Sequence, residues 1–232
     1  VAKYLADQDV KFVAGHFCSD SSITASSIYN KEGIIQISPA STNPALTDER
    51  IGPYTHRVCG REDQQGQVAG QYLYENYKDK NVALVHDETT YGKNLANAVK
   101  VAFESLGGDI SLFETYTYSA DKKYSAIVSK LKENNIEVLY FGGYHISAGI
   151  LVKQMRDQGM ETQLISGDAL VTLEYWEITG DAGEGTLMTF SPEPNKDPAN
   201  IDVIKKFEDA GINTKGYVLY TYAAIQSWAE AA

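Results

Sequence analysis

Cysteine is scarce. Cys18 and Cys59 are the only two in 232 residues, too few for a disulfide scaffold, and neither sits in a C-x-x-C pair or a His/Cys cluster of the kind that holds zinc. The four histidines, His16, His56, His86 and His145, lie far apart without ligand spacing, so the sequence carries no metal signature. Basic residues are also short: 20 Lys and Arg stand against 31 Asp and Glu, for a net charge of −11. With no basic stripe, nucleic acid is excluded as a partner, and the acidity serves solubility. No apolar run approaches the length of a membrane span, so membrane insertion is not expected. A signal-peptide pattern is missing, and the first residue is Val1 rather than Met, which reads as a processed, trimmed or partial chain. G-x-G-x-x-G, the P-loop, H-E-x-x-H and G-x-S-x-G are all absent. Cys18 lies two residues from His16, yet residues so placed on a strand-to-loop segment seldom hold a nucleophile–base hydrogen bond, and nothing orients the imidazole. A small buried cysteine is the plainer reading.

What the chain does contain is a repeated strand-to-loop pattern. Val10–Ala14 breaks into Gly15-His16-Phe17-Cys18-Ser19-Asp20-Ser21-Ser22, and Ile34–Ile37 breaks into Ser38-Pro39-Ala40-Ser41-Thr42-Asn43. A buried strand, a loop of small hydroxyl residues and a helix start together build ligand sites in open α/β sheets, outside the carboxyl ends of the strands. Two such loops suit a small anionic group. Apolar runs and helical patterns then alternate. Strands are expected at 10–14, 34–38, 54–58, 81–86, 109–117, 136–141, 162–166 and 185–190. Helices are expected near 20–32, 63–78, 91–106, 122–134, 145–158, 170–179, 199–210 and 216–231. Tyr124, Ile127, Val128 and Leu131 form a helical stripe, as do Leu95, Ala98, Val99, Ala102, Phe103 and Leu106, and both read as core faces. The continuous apolar runs Val82–Val85 and Val138–Phe141 suit a parallel sheet covered on both faces. The class is α/β. Polar, glycine-flanked 59–66 and proline-rich 191–198 read as linkers around a self-contained βα series, 62–190, which makes two lobes with chain crossings near 59–62 and 190–193.

The loops after the second-lobe strands carry Tyr91, Tyr144 and one acid, Asp168. A carboxylate and aromatic faces suit an ammonium by charge and cation–π attraction. Each residue also has a plain structural reading: Asp168 as a helix N-cap, Tyr144 as packing. Their common place at strand C-termini favours a ligand site.

Val10–Thr42, "CGREDQQG" at 59–66, "VHDETTYG" at 85–92, "YFGGYH" at 140–145, "ISGDAL" at 165–170 and "YTYAAIQS" at 220–227 resemble the Leu/Ile/Val-binding protein family, and the likeness runs along nearly the whole chain. These are periplasmic solute-binding proteins of amino-acid ABC transporters. The resemblance implies the type I periplasmic-binding-protein fold, α/β and two-lobed, each lobe a mostly parallel sheet flanked by helices. The first lobe is then 1–61 with 191–232, and incomplete; the second is 62–190. It implies a periplasmic monomer that needs no cofactor, closes its interlobe cleft on an amino acid by a hinge motion, and delivers it to a membrane permease. Carried over by position, Ser19 with its backbone and Thr42 hold the ligand carboxylate, with Ser41 in the same loop. The Ala40 carbonyl helps hold the ammonium, and Tyr91 and Tyr144 are the aromatic contacts of the second lobe. Cys18 matches a half-cystine whose partner lies upstream, and the chain corresponds to a piece that begins after the family's first β–α–β unit and stops before its last strands. An edge of the first-lobe sheet is then expected to be unpaired or filled by other chain.

Three positions depart from the branched-chain pattern. Asp168 stands for a Glu, Phe17 for a Leu and Tyr217 for a Phe. A shorter acid and a narrower apolar wall point to γ-aminobutyrate first, with branched-chain or small α-amino acids next. A ligand-sensing regulatory or receptor domain on the same fold is the competing class. An enzyme is the weakest reading, because no nucleophile–base pair is evident.

Overall fold

The parallel pairing expected from the apolar runs is present in both sheets of the computed structural model, which describes residues 1–117 and 124–232. The chain divides into two units, Val1–Arg61 with Ser191–Ala232, and Glu62–Phe190.

In the first unit, β1 (Phe12–Ala14), β2 (Ile35–Ser38) and β3 (Thr55–Arg57) pair in parallel in that order, which leaves β1 at an edge of the sheet. Around them run α1 (Ala2–Asp7), α2 (Ser19–Glu32) and α3 (Ala45–Asp48). The buried face of α2 is mostly hydroxyl: Ser19, Ser22, Ala25, Ser26 and Tyr29. Such a face needs partners for its polar atoms. Asn30 supplies one, donating to Thr55 Oγ1 at 2.8 Å, and the helix ends at Gly33, whose φ of +67° suits a residue without Cβ.

The second unit holds the larger core. There, β4 (Val82–Asp87), β5 (Leu112–Tyr116), β6 (Val138–Gly142), β7 (Gln163–Ser166) and β8 (Leu187–Met188) form a parallel sheet in the order β5-β4-β6-β7-β8. Alternate residues point to opposite faces. Leu84 and Tyr140 face α4 (Glu62–Tyr77) and α5 (Thr90–Ser105), where Leu73, Leu95, Val99 and Phe103 cover them. Ala83, Val85, Leu139 and Phe141 face α6 (Ser125–Glu133) and α7 (His145–Asp157), with Val128, Leu131 and Val152. The chain leaves β4 outward to β5 and returns to β6 on the other side. That reversal places a topological switch point between β4 and β6, where open α/β sheets form their binding crevice.

Some expectations shift. The helix expected at 170–179 is broken: Asp168–Leu170 is a 3₁₀ turn, and α8 (Leu173–Thr179) starts afresh because the Thr172 side chain accepts from the Tyr175 amide as its own N-cap. The strand at 185–190 shrinks to Leu187–Met188. In the proline-rich 191–198, Pro194 and Pro198 each open a 3₁₀ turn capped by Glu193 and Asp197. α9 (Ile201–Asp209) and α10 (Val218–Ala231) follow, and α10 lays Trp228 flat on Phe12 with ring centroids 4.9 Å apart. Helix 122–134 begins at Ser125; its first two expected residues lie outside the described ones. The short α1 and α3 carry too few periodic apolar positions to stand out in the sequence.

The seam between α4 and α5 is a close backbone contact. A Cβ on Gly66 would lie 2.3 Å from Ala98 Cβ, and one on Gly70 would lie 2.4 Å from Ala102 Cβ and 2.9 Å from Val99 O. Gly66→Ala therefore forces the helices apart, with an expected loss of about 1–3 kcal/mol in urea unfolding. Adding Ala98→Gly should restore part of it.

Candidate functional site

In the first unit, the β1–α2 and β2–α3 loops are stitched together by serines. The His16 carbonyl is their common acceptor: Ser38 Oγ donates to it at 2.7 Å, Ser41 Oγ at 3.0 Å and Ser22 Oγ at 3.3 Å. Ser38 Oγ in turn accepts from the amides of Ala40 (3.3 Å) and Ser41 (2.9 Å), so the Ala40 backbone is pinned. Ser19 is buried in the first turn of α2, and its hydroxyl accepts from the Asn43 amide at 3.3 Å. Buried Thr42 lies next to that contact. The Arg57 guanidinium grips the second loop, donating to Ser41 O at 2.9 Å, Pro44 O at 3.2 Å and Thr47 Oγ1 at 2.6 Å. Of the residues expected here, Ser19, Ala40, Ser41 and Thr42 are thus brought to one place. The Ser41 hydroxyl, bonded also to Ser22 Oγ at 2.7 Å and to Phe17 O at 3.1 Å, holds the loops. Phe17 meets Tyr217 edge to face, with ring centroids 5.4 Å apart and planes at 88°, which forms a short aromatic wall. His16 bonds Tyr29 OH through Nε2 at 3.1 Å, so its ring is paired there rather than with Cys18. Cys18 is half-buried at the N-cap of α2, and neither cysteine is in a disulfide.

In the second unit, the loops after β4, β6 and β7 converge at the switch point. Asp87 closes the β4–α5 turn, accepting from the Thr89 amide at 3.1 Å and from the Thr89 hydroxyl, while Thr89 Oγ1 caps α5 by accepting from Gly92 N at 3.0 Å. The start of α5 then lies against the end of β6. A Cβ on Gly142 would sit 2.3 Å from Gly92 O, so this approach needs glycine. It brings the rings of Tyr91 and Tyr144 to 5.2 Å. Asp168 is 2% exposed, and its Oδ1 accepts from Tyr91 OH at 3.0 Å and from Gln65 Nε2 at 2.7 Å. Its carboxylate therefore does not cap α8. Tyr91, Tyr144 and Asp168 stand together. Burial holds the Tyr140 hydroxyl well above its ordinary pKa, and the carboxylates of Asp168 and Glu62 add to the shift, which marks this end of the unit as electronegative.

Sequence reasoning missed Gln65, Thr189, Arg57 and Asn43. Their partners lie far along the chain or on the backbone, and the only signal was that Gln65 falls within the "CGREDQQG" segment. Among the described residues no group of three His, Cys, Asp or Glu is placed to hold a metal ion, and no helix is long and apolar enough to cross a membrane. Serine and threonine beside the N-terminus of α2 suit a carboxylate; an acid flanked by two tyrosines suits an ammonium.

Parallel sheets flanked by helices, with polar loops at the strand ends, place the chain in the open-sheet α/β class. The profile of the periplasmic binding protein family matches residues 1–232, and the chain belongs to that family. It is 47% identical over its full length to "Leu/Ile/Val-binding protein homolog 1" of Brucella melitensis biotype 1, covering 62% of that protein. It is 44% identical to "Amino acid binding protein" of Pseudomonas aeruginosa, again over 100% of the chain and 62% of the relative. The chain thus spans a little under two thirds of the length of these curated relatives. A leucine-binding protein from Thermotoga maritima MSB8, solved at 1.90 Å, superposes with a TM-score of 0.86 at 27% identity, over 97% of this chain and 65% of that one. These neighbours share the type I periplasmic-binding-protein fold expected from the motifs.

Ser38→Ala removes the donor to His16 O and the acceptor of two amides, with an expected cost of about 1–3 kcal/mol in denaturant unfolding. His145 is held below its ordinary value of 6.5 by burial, against the opposing pull of Glu174 and the Ala169 carbonyl. The unfolded state then binds the proton first as the pH falls, so stability should drop below about pH 6.5 and level off once the folded state is also protonated. His145→Asn should flatten part of that slope in urea midpoints measured from pH 8 to 5.

Proposed function

We propose that this protein is the solute-capturing component of a branched-chain amino-acid ABC transporter and works in the periplasm. It binds one free amino acid without covalent chemistry and passes it to a membrane permease. Ser19, Thr42 and the N-terminus of α2 take the ligand carboxylate. Asp168, Tyr91 and Tyr144, with the Ala40 carbonyl, take the ammonium. Phe17 and Tyr217 face the aliphatic side chain. The crossings near 59–62 and 190–193 serve as the hinge. The observation that carries this function is the buried Asp168 carboxylate, held at the switch-point end of the sheet beside two tyrosine rings. It is supported by the names of the Brucella and Thermotoga relatives, which are Leu/Ile/Val- and leucine-binding.

Those names support a different order of ligands from the one expected from three side chains. The relatives named above are Leu/Ile/Val- and leucine-binding by name, so leucine, isoleucine and valine come first. γ-Aminobutyrate stays as a second ligand on one observation, the Phe17–Tyr217 wall, which narrows the space for a branched side chain.

Calorimetric titration of the intact protein with leucine, isoleucine, valine, alanine and γ-aminobutyrate tests this. Leucine or a close homologue should bind tightest. Asp168→Asn should weaken it at least about tenfold, the scale of a charge-assisted hydrogen bond, and Ser19→Ala by less. Tighter binding of γ-aminobutyrate than of leucine would invert the ligand order, and binding of none of the five would end the amino-acid reading.

A further inference from the structure

We infer that Gln65 is the positioning residue of the ammonium site, fixing where the Asp168 carboxylate points. This role rests on the amino-acid binding proposed above. The evidence is a closed ring of hydrogen bonds within the second unit. Gln65 Nε2 donates to Asp168 Oδ1 at 2.7 Å, and Gln65 Oε1 accepts from Thr189 Oγ1 at 2.7 Å. The Thr189 amide donates to Ser166 O at 3.0 Å, at the end of β7, two residues before Asp168. The ring therefore runs from Asp168 through Gln65 and Thr189 to Ser166 and returns along the backbone through Gly167. Gly167 has no room for more: a Cβ there would lie 2.6 Å from Tyr91 OH and 2.5 Å from Leu95 Cδ2.

The direction of every bond in the ring is determined. An ionised carboxylate only accepts, so the amide must turn its NH₂ to Asp168 and its oxygen to Thr189. The Thr189 hydroxyl must then donate. Tyr91 accepts from the Ala169 amide at 3.3 Å and donates its own proton to the same Asp168 oxygen. Two donors on Oδ1 fix the carboxylate plane. Gln65 is itself immobilised, being buried and next to Gly66 at the α4–α5 contact. An apolar side chain of the same length would fill the space but break the bonds to Asp168 Oδ1 and Thr189 Oγ1, so what the amide adds here is a fixed position for the acid. The titratable groups around it are Asp168, Glu62, Tyr91 and Tyr140.

Three substitutions in the intact protein test the role, with leucine and 4-methylpentanoate, which is leucine without its amine, as ligands. Gln65→Met keeps the length and removes both hydrogen bonds. It should weaken leucine about tenfold and leave 4-methylpentanoate within about twofold. Gln65→Glu sets a carboxylate against Asp168 at pH 8 and should weaken leucine at least as much. At pH 5 the substituted carboxyl, once protonated, has the shape and donor of the amide, so affinity should return, while the unaltered protein and Gln65→Met stay level. Thr189→Val should give a smaller loss, about threefold. The role is overturned if Gln65→Met and Gln65→Glu bind leucine like the unaltered protein while Asp168→Asn does not. It is also overturned if Gln65→Met weakens both ligands alike, or if Gln65→Glu shows no recovery at pH 5. Failure of amino-acid binding itself shows separately, as no leucine heat from the unaltered protein, and removes both.

Discussion

Direct backbone contact governs the second unit. α5 meets α4 at Gly66 and Gly70 through only the methyls of Ala98 and Ala102, and it meets β6 backbone to backbone at Gly92 and Gly142. Helices that pack through larger residues stand 8–10 Å apart, and the difference is passed on to whatever projects from them. Here it brings Tyr91 to hydrogen-bond distance of Asp168 from one side and Gln65 from the other. The site is a consequence of where side chains are missing.

The two units are held by different forces. The second has apolar clusters on both faces of its sheet, so its loops rest on a rigid platform. The cluster under α2 in the first unit is small, Ala25, Tyr29 and Ile34, and the loops there are held by serines around the His16 carbonyl and by the Arg57 clamp. Hydroxyls are short and bond locally, which gives an ordered loop rich in polar groups without a large core beneath it.

The elements were legible where one physical signal dominated. The runs Val82–Val85 and Val138–Phe141 are strands buried on both faces, and no other placement could satisfy them. The hydroxyl loops and the Tyr91, Tyr144 and Asp168 positions were legible because strand ends are where such sheets bind. The break at Thr172 was hidden, since a cap is a single side chain overriding a continuous apolar pattern. Gln65 was illegible for another reason: its partners Asp168 and Thr189 lie 103 and 124 residues away, and no local pattern encodes a contact at that range. Ligand preference is the least legible property, because it turns on three side chains, Phe17, Asp168 and Tyr217, in a chain whose whole length is similar to proteins named for Leu/Ile/Val binding.

The first unit is also discontinuous, and this bears on how the chain comes to be folded. Trp228 stacks on Phe12 across almost the entire sequence, and α10 reaches β1 and β2 only after Glu62–Phe190 has been made. Taken alone, such a contact is slow, because loop closure precedes any gain from packing. The second unit removes that delay. Once folded, it ties Gln65 to Thr189, a few residues inside its two ends. The flanking segments then emerge as neighbours, and the Gly60 amide meets Ser191 Oγ at 3.0 Å. For the first unit the long intervening segment acts as a short, pre-closed turn, so α10 packs against β1 and β2 as though it followed them directly.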